Sequence, residues 1–230
     1  GFLGEHLMAR LSDAIRQGHQ GFVPIDVDIM FNLSAYGNLY GQGNIRDIYQ
    51  ANLVNVINAI ESLQPSQKYI FVSTSSVKLP QQTYYSASKR AAEELLQISG
   101  KNVAIVRPAS ITGPGEQDIH LIPRLIDSCL HGTKIPFVSG PTHDFIDVRD
   151  VVDALLVVRD KAEFRGEIYE VGCGQSVSNQ QVLEIVEAVV GKKANVEIVD
   201  NLRVYDNDRL AVDTTAIRSL GLSPKYSLED

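Results

Sequence analysis

The chain has no tryptophan, two methionines and two cysteines in 230 residues. Cys129 and Cys173 stand far apart, with no metal-ligand spacing around them. Each reads as a small buried hydrophobe, and a reducing cytoplasm suits them best. Positive charge is in deficit, with 21 Lys and Arg against 28 Asp and Glu and a net charge of −7. That balance excludes the basic footprint of a nucleic-acid binder. No apolar run is long enough to cross a bilayer, and no signal peptide opens the sequence as written. Repeats and low-complexity linkers are missing too. What is left, 44% hydrophobic and 21% charged, is an ordinary globular composition. It suffices for one large α/β domain or two smaller lobes.

Apolar runs alternate with helical patterns. Val27–Leu33, Tyr69–Ser73 and Val103–Arg107 read as buried strands. Residues 45–63 read as a helix, and another runs from Tyr85 to a stop at Gly100. This rhythm predicts a parallel sheet with crossover helices. From Ile111 onward the texture changes. A helix is expected over Asp118–Leu130, with Pro123 near its first turn. A short strand follows at Ile135–Val138, then a helix over Val151–Arg159 and a strand at Tyr169–Gly172. Ser178-Asn-Gln-Gln181 is a capping-box pattern opening a helix that ends at Gly191. Asn195–Val199 reads as a strand and Thr214–Leu220 as a short closing helix.

Chemistry is concentrated in Tyr85-Ser-Ala-Ser-Lys89. On a helix the phenol and the ammonium share one face. A phenol ionises near pH ~10, and a neighbouring cation favours its ionised form. Such a pair makes a tyrosine able to take and return protons at a hydroxyl. Alone the spacing is weak, because an exposed helix explains it equally well. Gly1-Phe2-Leu3-Gly4, leading into an amphipathic helix, looks like the end of a loop that seats a pyrophosphate on a helix N-terminus.

Taken in order, the motifs resemble the extended short-chain dehydrogenase/reductase family, in its nucleotide-sugar epimerase, dehydratase and reductase branch. They are Gly1-Phe-Leu-Gly4, Asn32-Leu-Ser-Ala35, Asn52 with Asn58, Phe71-Val-Ser-Thr-Ser-Ser-Val77, Tyr85-x-x-x-Lys89, Arg107-Pro to Gly115, Asp144-Phe-Ile-Asp-Val-Arg-Asp150, Tyr169-Glu-Val-Gly172, and Arg203-Val-Tyr-Asp206 before Leu220-Gly-Leu-Ser-Pro224. The resemblance implies a Rossmann-type doubly wound α/β sheet with a smaller mixed α/β lobe. Residues 1–110, with 144–172 returning, would bind the cofactor; 111–143 and 173–230 would bind substrate. It implies Tyr85 as acid/base, Lys89 lowering the phenol pKa and binding the nicotinamide ribose, and Thr74 orienting the reacting oxygen, with Ser75 as the fallback. Gly1, Phe2, Leu3, Gly4, Leu33, Ser34, Ala35, Asn52, Ser73, Pro108, Ala109 and Ile111 would join Tyr85 and Lys89 in lining NAD or NADP, with the choice between them unreadable. Tyr36, Ser75, Ser110, His143, Arg203 and Asp206 would face a nucleotide-diphosphate sugar; a guanidinium fork suits a diphosphate. No metal is implied. A homodimer through the 45–63 and 85–99 helices is.

The chain also departs from the family. Dehydratase members carry Asp-Glu after the Thr, and here Ser75 and Ser76 stand there. Ser110 replaces the frequent Asn, and His143 the frequent Arg. Ser75 and Ser76 favour a 4-epimerase or a 4-keto reductase over a dehydratase, while the changes at Ser110 and His143 bear on the substrate more than on the reaction type. The other readings are a reductase of non-sugar alcohols or ketones and a non-catalytic cofactor-binding scaffold. The family's first strand is expected before Gly1, and segments between flanking elements look omitted near Gln20–Gly21 and Leu79–Gln81.

Overall fold

Three apolar runs and one mixed strand build the central sheet. The computed structural model describes residues 1–16, 26–38, 42–200 and 211–230. Helix α1 (Phe2–Met8) comes first, then β1 (Ile29–Asn32). Next are α2 (Ile45–Tyr49), a π-helical turn at Gln50–Val54, and α3 (Asn55–Ser62). β2 (Lys68–Val72) leads through a 3-10 turn at Ser75–Lys78 to α4 (Tyr84–Ile98) and β3 (Asn102–Pro108). There follow β4 (Ser110–Thr112), α5 (Leu121–His131), β5 (Ile135–Phe137), β6 (Thr142–His143), β7 (Phe145–Asp147), α6 (Val148–Lys161) and β8 (Arg165–Val171). β9 (Val177–Ser178), α7 (Asn179–Val190), β10 (Val196–Ile198) and α8 (Thr215–Ser219) close the chain.

β1, β2, β3 and β8 pair in that order, all parallel. The α/β class and Rossmann-type sheet expected from the alternation are what the chain adopts. β3 shows why. Val103, Ala104, Ile105 and Val106 are all buried, because helices cover both faces. Ala104 and Val106 belong to a cluster with Val151, Ala154, Leu155 and Val158 of α6. Val103 and Ile105 point the other way, into a cluster with Val56 and Ala59 of α3 and Ala92 and Leu96 of α4. Each such aliphatic side chain contributes roughly 1.5–3 kcal/mol by leaving water. A third cluster joins Leu125 and Cys129 of α5, Ile135 and Phe137 of β5, and Val182 and Val186 of α7. Cys173, expected to be buried, is only half-buried.

Local signals set most boundaries. Thr83 and Ser86 form a capping box at the start of α4. Ser178 and Gln181 form the expected box on α7, which stops at Gly191 in the left-handed conformation. Two helix starts differ from expectation. α5 begins at Leu121 rather than Asp118, behind His120 at its N-cap. α6 begins at Val148 rather than Val151, because the Asp147 carboxylate accepts from the Arg149 N–H at 2.7 Å. The pairings of β4 with β7 and of β6 with β9 are too short to leave a sequence period.

The Asp144-to-Asp150 motif is a set of buried braces. Asp144 is fully buried and accepts backbone N–H groups from Cys173 at 2.8 Å, Gly174 at 2.9 Å and Val212 at 3.2 Å. Burial pushes its pKa up, and those donors pull it back. Asp150, also fully buried, accepts from the Lys225 and Tyr226 N–H groups. A Cβ on Gly172 would lie 2.8 Å from Asp144 Oδ2 and 2.5 Å from Val212 Cγ2. Asp144→Ala strands three donors at about 1–3 kcal/mol each. It should lower the urea midpoint by the equivalent of about 3–9 kcal/mol at unchanged slope, and Gly172→Ala should move the midpoint the same way.

Candidate active site

The carboxyl ends of β1, β2 and β3 converge on one edge of the sheet, where open α/β folds hold their ligands. At the end of β1, the Ser34 carbonyl accepts from Lys89 Nζ at 3.1 Å. Asn32 Oδ1 accepts from the Ser34 N–H at 2.9 Å, which shapes the turn. Leu33 packs on the α6-side cluster, Ala35 is exposed and Tyr36 is half-buried. A Cβ on Gly4 would touch Leu33 Cδ1 at 3.7 Å, so α1 sits close against this end of the strand. Gly1 stands at the N-cap of α1 with open space around it. The Phe2 ring meets the His6 ring edge-on, and Leu3 packs on the same cluster as Leu33.

The end of β2 carries Ser73, Thr74 and Ser75. Ser73 donates its N–H to the Val106 carbonyl at 2.7 Å, while its buried Oγ has no partner. Thr74 caps the 3-10 turn, accepting from the Ser76 N–H, and its hydroxyl lies close enough to the Tyr85 phenol to pull its pKa down. Ser75 is buried beside it. At the end of β3, Pro108 and Ala109 are buried, and Ala109 donates its N–H to Val171 at 2.8 Å. Ser110 donates its N–H to the Asp144 carbonyl at 2.9 Å, and Ile111 pairs with Ile146.

The fully buried Asn52 lies within the π turn. Its amide clamps the Tyr36 backbone, accepting from N–H at 3.0 Å and donating to C=O at 2.8 Å. The same amide donates to Ser88 Oγ on α4 at 3.0 Å, and Ser88 Oγ donates to the Tyr85 carbonyl at 2.7 Å. One side chain thus locks the loop after β1 to the helix that carries Tyr85 and Lys89. A π turn inside a helix often marks such a place.

The structure therefore brings Thr74, Tyr85, Lys89, Ser34, Ser73 and Asn52 together. His143 sits apart, in β6 paired with Val177, its ring edge-on to Phe145. Arg203 and Asp206 lie outside the described residues.

The electrostatics correct one expectation. Lys89 does not hold the phenol below its ordinary range. Burial pushes Tyr85 up to about 12, against a pull from the Thr74 hydroxyl. Burial likewise pushes Lys89 down to about 7, with Glu93 opposing it. Lys89 is 1% exposed, with its Nζ 4.3 Å from the centre of the Phe71 ring. Desolvation is the larger cause for both, with Lys89 fully enclosed and Tyr85 half-buried.

Behind this site lies an ion cluster that sequence reasoning missed. Arg107 grips Glu93 of α4 with two bonds, at 2.9 and 2.6 Å. Its third nitrogen lies 3.4 Å from Glu170 Oε1, and Lys78 and the Asp213 N–H also bind Glu170. The four-residue step from Lys89 to Glu93 was the one available signal.

The residues of this site suit a nicotinamide dinucleotide. It offers a buried ammonium, an unspent Ser73 hydroxyl and a helix N-terminus at Gly1 with no side-chain cap. Lys89 and Ser73 would hold it on the α4 side, with Pro108 and Ala109 beyond. Among the described residues no metal-binding cluster occurs, and no helix is long and apolar enough to cross a membrane.

Comparison with known proteins points the same way. The model of the NAD dependent epimerase/dehydratase family matches residues 16–172. The low-salt glycan biosynthesis protein Agl12 of Haloferax volcanii is 32% identical over 153 residues, 64% of this chain and 49% of that protein. A dTDP-glucose 4,6-dehydratase of Streptomyces griseus is 32% identical over 155 residues, 64% of this chain and 46% of that protein. The chain thus spans about half the length of the curated relatives it matches. The solved structure of MoeE5 in complex with UDP-glucuronic acid and NAD superposes with a TM-score of 0.87 at 22% identity, covering 100% of this chain and 92% of that one.

Proposed function

Since the chain belongs to the NAD dependent epimerase/dehydratase family, we propose that it is a nucleotide-sugar oxidoreductase working at the sugar C4 position, as a 4-epimerase or a 4-keto reductase. The observation that carries this reading is the placing of Tyr85 beside Thr74 at the end of β2, with Lys89 buried one helical turn away. When bound, the nicotinamide supplies the acceptor or donor of hydride. Tyr85 moves the proton at the sugar oxygen, and Thr74 holds that oxygen in line. In the unliganded protein the phenol is protonated at neutral pH, the form that delivers a proton to a keto oxygen. In the oxidative direction the phenol must first be ionised so that its oxygen can take the proton of the sugar hydroxyl, and a charged Lys89 favours that ionised form.

Dehydration is not proposed, although relatives include dehydratases, because Ser75 and Ser76 have no carboxylate to move a second proton. Residues 1–110 and 144–172 are assigned to the cofactor, and 111–143 and 173–230 to the substrate. Arg203, Asp206, His143, Ser110 and Tyr36 are assigned to the nucleotide sugar. The protein is proposed to work in the cytoplasm as a homodimer through the α2–α3 and α4 helices, where Ile45 and Tyr84 are exposed.

A thermal-shift panel of UDP-, dTDP- and GDP-sugars with NAD(H) and NADP(H) tests this. At a hundredfold excess over its dissociation constant, the correct sugar should add about 2.7 kcal/mol. A panel without any such shift, with reduction of a non-sugar ketone instead, overturns the sugar assignment.

A further inference from the structure

Glu93 is an ionised group enclosed at the back of the site. Its side chain is 3% exposed, and the fork of Arg107 satisfies both carboxylate oxygens. A buried pair of this kind can serve as a brace between helix and strand and nothing more. Its place on α4 gives it a second use. Glu93 follows Lys89 by four residues, so the carboxylate and the amine share the inward helix face. Lys89 is enclosed by the Phe71 ring and the Ser34 carbonyl, and neither of these carries a full charge.

We propose that Glu93, clamped in place by Arg107, is a positioning residue that keeps the Lys89 amine charged beside Tyr85. This rests on the assignment of Tyr85 and Lys89 made above. The other groups around Lys89 fit the idea. Its own helix adds Tyr85, a neutral phenol, and Arg90 and Glu94, which pair with each other in solvent. From β3 comes Arg107, whose charge is spent on Glu93. From β8 comes Glu170, engaged by Arg107 and by Lys78 of the 3-10 turn. The charged side chains of α2 and α3 that pack near α4, Arg46, Asp47 and Glu61, are exposed and screened by water. Burial drives the Lys89 proton off, and the Glu93 charge is what opposes it. Arg107 matters because its fork fixes the carboxylate on the inward face of α4.

The test reads Lys89 directly, in the unliganded protein. Lysines labelled at Cε are followed by NMR, with the Lys89 signal identified by its absence from Lys89→Met. In the wild type that signal should titrate near pH 7. Glu93→Gln should move its titration roughly one pH unit lower, and Glu93→Asp should keep it near the wild-type position. With cofactor and sugar, the alkaline limb of kcat/KM should move down with it while KM stays put. If Glu93→Gln does not fold, Glu93→Gln with Arg107→Met leaves no unpaired ion and carries the same test, with a smaller downward shift. A Lys89 titration that stays put while Glu93 is neutral overturns the proposal and leaves Glu93 a brace. An unchanged turnover in Tyr85→Phe overturns the catalytic assignment instead, and the NMR titration still reports on Glu93.

Discussion

Replacing Tyr85 with phenylalanine is expected to lower turnover about 10²–10⁴-fold, the usual worth of a positioned acid/base. The substitution is a clean one. Phenylalanine keeps the ring and its packing on α4 and removes only the hydroxyl. Thr74 loses one partner and retains Ser76, whose Oγ is 3.2 Å away and whose N–H it also accepts. No buried donor is stranded, so the melting temperature should change little. The groups assigned to the cofactor, Lys89, Ser73 and the loop after β1, are untouched. Cofactor affinity, followed by nicotinamide fluorescence, should therefore stay within about threefold. Turnover within threefold of wild type would refute the assignment of Tyr85. A parallel loss of cofactor binding would mean that the phenol serves binding rather than chemistry.

Lys89→Met should show the opposite pairing of effects, with activity lost and stability gained. The ordinary lysine pKa is 10.5, and burial brings Lys89 to about 7. Between those values the unfolded chain binds a proton that the folded chain does not. Stability therefore rises as pH increases from 7 to 10.5 and is lowest, on this account, below pH 7. Tyr85 works against this from pH 10 upward. Its folded value of about 12 exceeds the ordinary 10.0, so the unfolded chain ionises first and stability falls again. The wild type should be most stable toward pH 10, and Lys89→Met should lose the rise between 7 and 10. At pH 7 the variant should melt roughly 5 °C or more above wild type, since about 1 kcal/mol moves a chain of this size by about 2–4 °C. Methionine fills the space beside Phe71 without a charge to desolvate. Its turnover should fall at least roughly 10²-fold, because nothing then favours the phenolate. A Lys89→Met protein that melts below wild type at pH 7 would show that the bond to the Ser34 carbonyl outweighs the cost of enclosing the amine.

These two variants mark what the sequence could and could not convey. β1, β2 and β3 were legible because each is an apolar run between breakers, and α4 because its helix formers run on to a stop at Gly100. The meeting of Thr74 with Tyr85 was legible as motif order. The sign of the pKa changes was not. Residue spacing gives the distance between two charges along a helix, but enclosure comes from Phe71, Ser34 and the rest of the fold. The grip of Arg107 on Glu93 spans 14 residues and two elements, so neither residue announces the other. Asp144 stood in a recognised motif, yet its partners at Cys173, Gly174 and Val212 are set only by tertiary structure. Arg203 and Asp206, read as the clamp on the nucleotide, fall outside the described residues.

The π turn carries a consequence for how chains of this kind are aligned. Ile48, Asn52 and Val56 are all buried at successive steps of four. In an unbroken α-helix two such steps overrun two turns by roughly 80°, enough to swing Val56 off the sheet. The wider turn at Gln50–Val54 absorbs that excess. It lets the apolar stripes of α2 and α3 stay in phase while an amide occupies the space between them. A chain one residue shorter here has no such slack. It must give up either the continuous stripe or the inward amide, so a single-residue gap in this helix signals the loss of the Tyr36 clamp rather than a harmless trim.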